Sequence, residues 1–538
     1  MTKKKCLVLL SAGKISSKLP HIFARTDCPA LYPIGNKYVL FHQLDFYKNY
    51  LNDIFILTNK RFVSKIQNEI NYFNNLNIKL LCCNTKSVND TLKFALKNIN
   101  FQQFNECIVS VITTIPNYFP KKNEVLFDKQ LKTIQNWSAI RKTDNKYRYF
   151  NVTNRIPIKA NAFTGVFNFD LNKLNLIVKK NKSIDLIDIV HSFDDKYSVK
   201  IKKINWLDIG HSANYFNTKI NFFSSRAFNK ISFNKEKGII EKTSKNINKL
   251  TKEFNFIYKL PPEIKSYFPQ VVSKIKLKKE VKISMDYFPF PNVSELQIFW
   301  KMDSSQWIAL FDSIENYLKV CNQFKKNYHT KKYINFHLNK LNSRLKQFKT
   351  NLTKKYYFLF EDDFILINNK KLFGLKKILK YIKFSLNNNY CYPNYSIMHG
   401  DLCFNNILYD PITEKMKLID PRGSFDNNTS TFGDQKYDIS KLIHSSIYGY
   451  DYLISDLYDF EISNKKINYE IHFRDNHNFL SKISHNLIKK FDYNINEIKF
   501  FTGLLFLTMP PLHYESLKKQ ITMFSIGIEI INDCINND

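Results

Sequence analysis

From residue 6 to about residue 222, short β-branched or apolar runs alternate with longer amphipathic ones, and past Ser224 that alternation stops. The runs at 6–10, 54–58, 79–83 and 107–112 read as strands, and those at 38–50, 64–73 and 88–97 as helices. Strand and helix in turn predict an α/β domain of Rossmann-like type with a mostly parallel sheet. Ligands of such sheets bind beyond the carboxyl ends of strands, which directs attention to the loop after Leu10. From Ser224 the pattern predicts a hairpin (227–233 and 238–242), a helix (246–258) and a strand (281–288). The remainder is predominantly helical, with candidates at 305–325, 331–348, 373–386, 438–448 and 479–491. A small β-rich lobe followed by a large helical one predicts an α+β two-lobed second domain. With 538 residues the chain can bury two cores, and we place the domains at 1–222 and 223–538.

The net charge of +34 would ordinarily suggest nucleic acid. Here the basic residues are spread along the chain, and the densest cluster, 274–282, alternates with apolar residues as an exposed strand face does. Lys, Asn, Ile, Phe and Tyr are abundant while Gly totals 12, the mark of an AT-rich genome. No nucleic-acid partner is expected. The nine cysteines are odd in number, scattered and without a C-x-x-C pair, which predicts a reduced, cytoplasmic protein with all nine as small buried apolar residues. The apolar runs after Lys3-Lys4-Lys5 and at 500–509 fall well short of the roughly 20 residues of a membrane span, so no span is expected.

The densest chemical signal is His399-Gly400-Asp401-Leu402-Cys403-Phe404-Asn405-Asn406-Ile407-Leu408, followed by Leu418-Ile419-Asp420-Pro421-Arg422-Gly423. An Asp two residues after a His can accept a hydroxyl proton; an Asn five residues on and an Asp ending the next apolar strand can each hold Mg²⁺. Taken alone, His-Gly-Asp is equally a turn with a capping Asp. With Gly433-Asp434-Gln435-Lys436-Tyr437-Asp438-Ile439 downstream, this half resembles the aminoglycoside phosphotransferase and choline kinase superfamily, a relative of the protein kinases. The resemblance implies ATP and Mg²⁺, with Asp401 catalytic, His399 bracing its loop, and Asn406 and Asp420 as metal ligands. It also implies a small-molecule acceptor.

Eleven residues separate Lys242, at the end of the second hairpin strand, from Glu253 in the following helix. The spacing suits a phosphate-binding Lys held by a helical Glu; in so Lys-rich a segment the pair reads equally as surface residues. Met285-Asp286-Tyr287-Phe288 is either an ordinary strand end or a hinge whose backbone, at Asp286 and Tyr287, reads adenine. Arg422 either binds an anionic acceptor or pairs with Asp434. Asp438 is a helix cap or a loop anchor.

The first half is similar to sugar-phosphate nucleotidylyltransferases at Leu9-Leu10-Ser11-Ala12-Gly13-Lys14, at 28–37, at Phe163-Thr164-Gly165-Val166-Phe167 and at Trp206-Leu207-Asp208-Ile209-Gly210. The resemblance implies that the loop at Gly13 and Lys14 wraps a nucleoside triphosphate, CTP or another, and that Asp208 is one of two metal-binding acids. Thr113-Thr114 stands where the family has the other acid, and a hydroxyl cannot supply the missing charge. The expected function is ATP-dependent phosphorylation of a sugar, polyol or amino alcohol, coupled to a domain that forms an NDP-activated product for surface polysaccharide. The rival class is a nucleotide-binding regulatory or scaffolding protein with a non-catalytic first domain.

Overall fold

The computed structural model describes residues 4–12, 28–71, 73, 75–85, 87–100, 102–134, 137–143, 146–151, 158–180, 185–210, 214–215, 218–219, 222, 229–234, 236–425 and 428–537. The chain divides into two compact units, Met1–Phe223 and Ser224–Asp538.

In the first unit the strand Lys4–Ser11 is buried from Cys6 onward, as an apolar run covered on both faces must be. It pairs in parallel with Asp53–Thr58 on one side and Phe104–Val111 on the other. Asn77–Cys82 extends the sheet in parallel and ends the row. Helices Val88–Lys97, Leu171–Lys180 and Leu186–Tyr197 share one apolar core with Val8, Phe55 and Val109. The sheet is largely parallel, as the strand–helix alternation predicts, but mixed. Ile158–Asp170 runs antiparallel to both Phe104–Val111 and Glu124–Ile134, and Ser138–Thr143 with Lys146–Asn151 forms an antiparallel pair beyond it. The short connection between Ser138–Thr143 and Lys146–Asn151 suits a hairpin, whereas parallel neighbours need a crossover of a dozen residues or more.

In the second unit an antiparallel sheet runs in the order Asn229–Asn234, Ile239–Ser244, Val281–Asp286, Val271–Lys276. Residues 274–282, read above as one exposed strand face, are instead a hairpin corner joining the last two of these strands. Helix Ile247–Lys259 lies between the second and third strands in sequence, and its Leu250 packs on Val281, Ile283 and Met285. The helical remainder includes Ser304–Asn322, started by a capping box at Asp303, and Thr330–Asn351, Gln435–Ser446 and His477–Lys490. Ile495–Thr508 and Leu517–Asn537 complete the core with Phe501, Leu505, Phe524 and Ile528. Among the described residues no helix is long and apolar enough to cross a membrane.

Eight of the nine cysteines are buried as expected; Cys82 is exposed because its strand is the sheet edge.

Candidate active site

The loop that carries Asp401 is fixed from below by Asp438. Its carboxylate accepts the N–H groups of His399 (2.7 Å) and Gly400 (2.8 Å), and that of Leu402 as well. Asp438 is the fourth residue of helix Gln435–Ser446, whose cap is Asp434, so of the two roles expected for it the geometry shows the loop anchor. Gly400 has φ +80°, and a Cβ there would lie 2.7 Å from Cβ of Arg422. His399 is fully buried and stacks on Phe268 at 5.9 Å. Its Nδ1 accepts from the Asp401 N–H (3.2 Å), which assigns the proton to Nε2, donated to the Ile419 carbonyl (3.0 Å). His399 is thus a positioning residue that ties the two halves of the motif together.

Burial lowers the His399 imidazole to about 4, against the partial opposition of Asp401. The unfolded chain takes up this proton near pH 6.5 and the folded chain only near 4, so the group's contribution is complete above pH 6.5 and lost as pH falls to 4. The shift corresponds to about 3 kcal/mol. Asp438, pushed up by burial to about 7, works in the opposite sense, stabilising at low pH and losing that contribution as pH rises to 7. The contribution of His399 is therefore isolated by comparison with a variant. Denaturant unfolding between pH 4.5 and 7 is expected to show wild type losing stability relative to His399→Gln as pH falls, by about 2–3 kcal/mol; parallel profiles would contradict the buried neutral imidazole.

Asp401 is partly exposed and is held at both ends. Oδ1 lies 2.9 Å from Nζ of Lys441, and the Asn406 amide donates to the Asp401 carbonyl (2.9 Å) and to Oδ2 (3.2 Å). Lys441 follows Asp438 by three residues on one helix, so both reach the same loop. Burial alone would lower the Lys441 ammonium; Asp401 outweighs it and holds the group well above its usual range. Asn405, the neighbour of Asn406 in the short turn Phe404–Asn406, donates instead to Asp451 (2.8 Å).

Lys242 and Glu253 come together in the buried interior of the small sheet, with Nζ 2.9 and 2.8 Å from the two carboxylate oxygens. The same Nζ lies 2.7 Å from Oδ1 of Asp420, 178 residues further along. Burial opposes the charge on Lys242, but Asp420 and Glu253 hold it above the usual ammonium range. Asp420 has φ +57° and a side chain 54% exposed. Gly423, at φ +63°, abuts the helix at the position of Glu253: a Cβ would lie 2.3 Å from the Lys252 carbonyl oxygen. The antiparallel pair Ile407–Asp410 and Lys415–Leu418 sets Asn406 beside Ile419, whose N–H donates to the Asn406 carbonyl (3.0 Å). Because Asn406 uses its amide N–H groups on Asp401, its side-chain oxygen is the group it can offer a cation. An amide oxygen and a half-exposed carboxylate are hard donors, and they fit Mg²⁺.

Asp286 and Tyr287 end their strand with both N–H groups engaged, on the carbonyls of Gln270 (3.0 Å) and Gly238 (3.1 Å). Both N–H groups are thus taken up in closing the sheet. Arg422 does not pair with Asp434, which is taken by the Tyr333 hydroxyl (2.5 Å) and the N–H groups of Lys436 and Asn394 (both 3.1 Å). Its guanidinium donates to the Tyr437 hydroxyl at 3.3 Å. Lys441, Lys340 and Arg344, all close to Asp401 or Arg422, escaped the sequence analysis, and Tyr437 entered it only as part of the motif around Asp438. The helical spacing of Lys441 from Asp438 could have pointed to the first of these.

In the first unit, Gly13 and Lys14 lie outside the described residues. Asp208 and Thr114 are register partners in the strand pair Leu207–Asp208 and Thr114–Ile115. The buried Asp208 carboxylate accepts from the Gly210 N–H (2.9 Å) and the Asn214 amide (2.7 Å). The Thr114 hydroxyl donates to the Thr164 carbonyl (2.5 Å) and accepts from Nε1 of Trp206 (3.0 Å). Among the described residues no group of three or more His, Cys, Asp or Glu could hold a metal.

No family model matches the chain, and no curated protein does. Solved structures similar to it over the N-terminal part include a Bacillus anthracis protein assigned as a glucose-1-phosphate thymidylyltransferase, in complex with a sucrose (15% identity, 41% of this chain and 96% of that one, TM-score 0.36). HddC from Yersinia pseudotuberculosis, complexed with GMP-PN, is 14% identical over 40% of this chain and 99% of its own, with a TM-score of 0.31. The inositol-1-phosphate CTP transferase from T. maritima is 14% identical over 42% and 99%, with a TM-score of 0.32.

Proposed function

We propose that the unit Ser224–Asp538 transfers the terminal phosphoryl group of ATP to a hydroxyl of a small metabolite. One observation carries this: a continuous line of contacts runs from Glu253 through Lys242 to Asp420, and from its neighbour Ile419 through Asn406 to Asp401. These are the groups phosphoryl transfer needs, in which catalysis is largely positioning and charge stabilisation. Asp401 orients the acceptor hydroxyl and takes its proton; Lys441 holds that carboxylate in place. Lys242, steered by Glu253, offers its ammonium to phosphate oxygens. Asn406 and Asp420 would hold Mg²⁺, which when bound neutralises charge on the phosphates. His399 and Asp438 fix the loop so that Asp401 and Asn406 stay in register.

For the first unit, the engaged Asp208 carboxylate and the Thr114 hydroxyl in the place of an acid favour a unit that binds CTP or another nucleotide without transferring it. If it does transfer, the pairing fits activation of a phosphorylated sugar, polyol or amino alcohol for surface polysaccharide. Mass spectrometry of the full-length protein with Mg²⁺, ATP, CTP and pooled sugars, polyols and amino alcohols tests both halves. The expected product is an acceptor heavier by one phosphoryl group, with ADP. Release of pyrophosphate that Asp208→Ala abolishes would show instead that the first unit is catalytic.

A further inference from the structure

Beside Asp401 the second unit gathers cations without acids to match. Lys340 and Arg344 sit one turn apart on helix Thr330–Asn351, and both are half-buried. Lys340 Nζ donates to the Tyr437 hydroxyl at 2.8 Å, the same oxygen that Arg422 reaches. The Arg422 guanidinium stands 5.7 Å from the ring centre of Phe336 and 5.8 Å from that of Tyr437. Arg344 donates to Gln347, its neighbour on the helix, at 3.2 Å. Among the described residues no carboxylate contacts Lys340, Arg344 or Arg422, while Lys441 has Asp401.

The mutual effect of these groups is visible at Tyr437 and Lys340. Burial pushes the Tyr437 phenol up, but Lys340, Arg422 and Lys441 outweigh it and bring it down to about 8. Burial together with Arg422 and Lys441 brings the Lys340 ammonium down to about 8, against the pull of Tyr437. A cluster of like charges in a half-buried site is stabilised by an anion, and planar guanidinium groups match the oxygens of phosphate.

The cluster adjoins the base. The Arg422 N–H donates to the His399 carbonyl (2.9 Å), and Tyr437 lies one helical turn before Lys441, the partner of Asp401. We propose that Lys340, Arg344 and Arg422 dock a phosphate group carried by the acceptor, so that Asp401 acts on a hydroxylated phosphate monoester rather than on an amino alcohol. This rests on the phosphotransferase function proposed above. An ammonium-bearing acceptor would meet three cations here, and a dianion suits three cations better than a carboxylate does.

The test uses full-length protein without nucleotide and labelled inorganic phosphate in equilibrium dialysis at low salt. Arg344→Gln combined with Arg422→Gln is expected to weaken binding about tenfold or more. Should Arg422→Gln fail to fold, Arg344→Gln alone, on a half-buried helix position, is expected to weaken binding several-fold. Wild-type affinity in the folded arginine variants would overturn the proposal. Glycerol 1-phosphate is expected to displace the label well ahead of glycerate and ethanolamine; displacement by either of those as effective as by the phosphate ester would overturn the assignment. A chain that binds phosphate in this way yet transfers nothing from ATP keeps the site and loses the kinase.

Discussion

Replacing Asp401 with asparagine is expected to lower the turnover of ATP-dependent phosphoryl transfer by about 10²–10⁴-fold, the usual worth of a positioned proton acceptor, with nucleotide affinity changed only a few-fold. Asparagine preserves the shape of the side chain and can still accept from the Asn406 amide, but it cannot take a proton at its amide oxygen at neutral pH. The change also removes the 2.9 Å ion pair to Lys441. Because Asp401 is 27% exposed, water can partly replace that pair, and stability should fall by less than the loss of a fully buried partner would cause. Steady-state kinetics and nucleotide titration on the same preparation separate the two effects. Turnover within threefold of wild type would remove Asp401 from the chemistry.

Lys242→Met is expected to do two things at once. Glu253 is buried and both of its carboxylate oxygens accept from Lys242, so methionine leaves a carboxylate without its cation, at a cost of about 3–5 kcal/mol. ATP turnover should fall with it, because the ammonium beside Asp420 is removed from the site. The two consequences come apart in the double variant Lys242→Met with Glu253→Gln. Removing the stranded charge should recover part of the stability, whereas turnover stays low. Equal stability of Lys242→Met and wild type in denaturant unfolding would mean that the pair does not hold this corner of the sheet.

The residues around Asp401 were legible in the chain to different degrees, for physical reasons. His399, Asp401, Asn406 and Asp420 lie on one strand–turn–strand stretch, so their proximity follows from local spacing. Lys242 and Glu253 were legible because a strand and the helix after it bring residues eleven apart to one side. Lys441 and Lys340 were not, since each reaches the site from a helix whose docking depends on long-range packing. Arg422 had two partners open to it in sequence, and only the fold shows Asp434 committed to Tyr333. The largely parallel core of the first sheet was legible from its strand–helix alternation, whereas the antiparallel pairing of the long strands Glu124–Ile134 and Ile158–Asp170 was not, because their mixed polar and apolar residues do not announce a direction. Helix Ile495–Thr508 is buried nearly all round, which erases the 3.6-residue period that marks a surface helix.

The most direct measurement follows the terminal phosphoryl group of γ-labelled ATP on incubation of the full-length protein with Mg²⁺ and pooled hydroxylated metabolites, for wild type and for Asp420→Asn. If the second unit is a small-molecule phosphotransferase, label passes to a metabolite in wild type and transfer collapses in Asp420→Asn. Label that never leaves ATP for any acceptor, or that passes undiminished in Asp420→Asn, would contradict it.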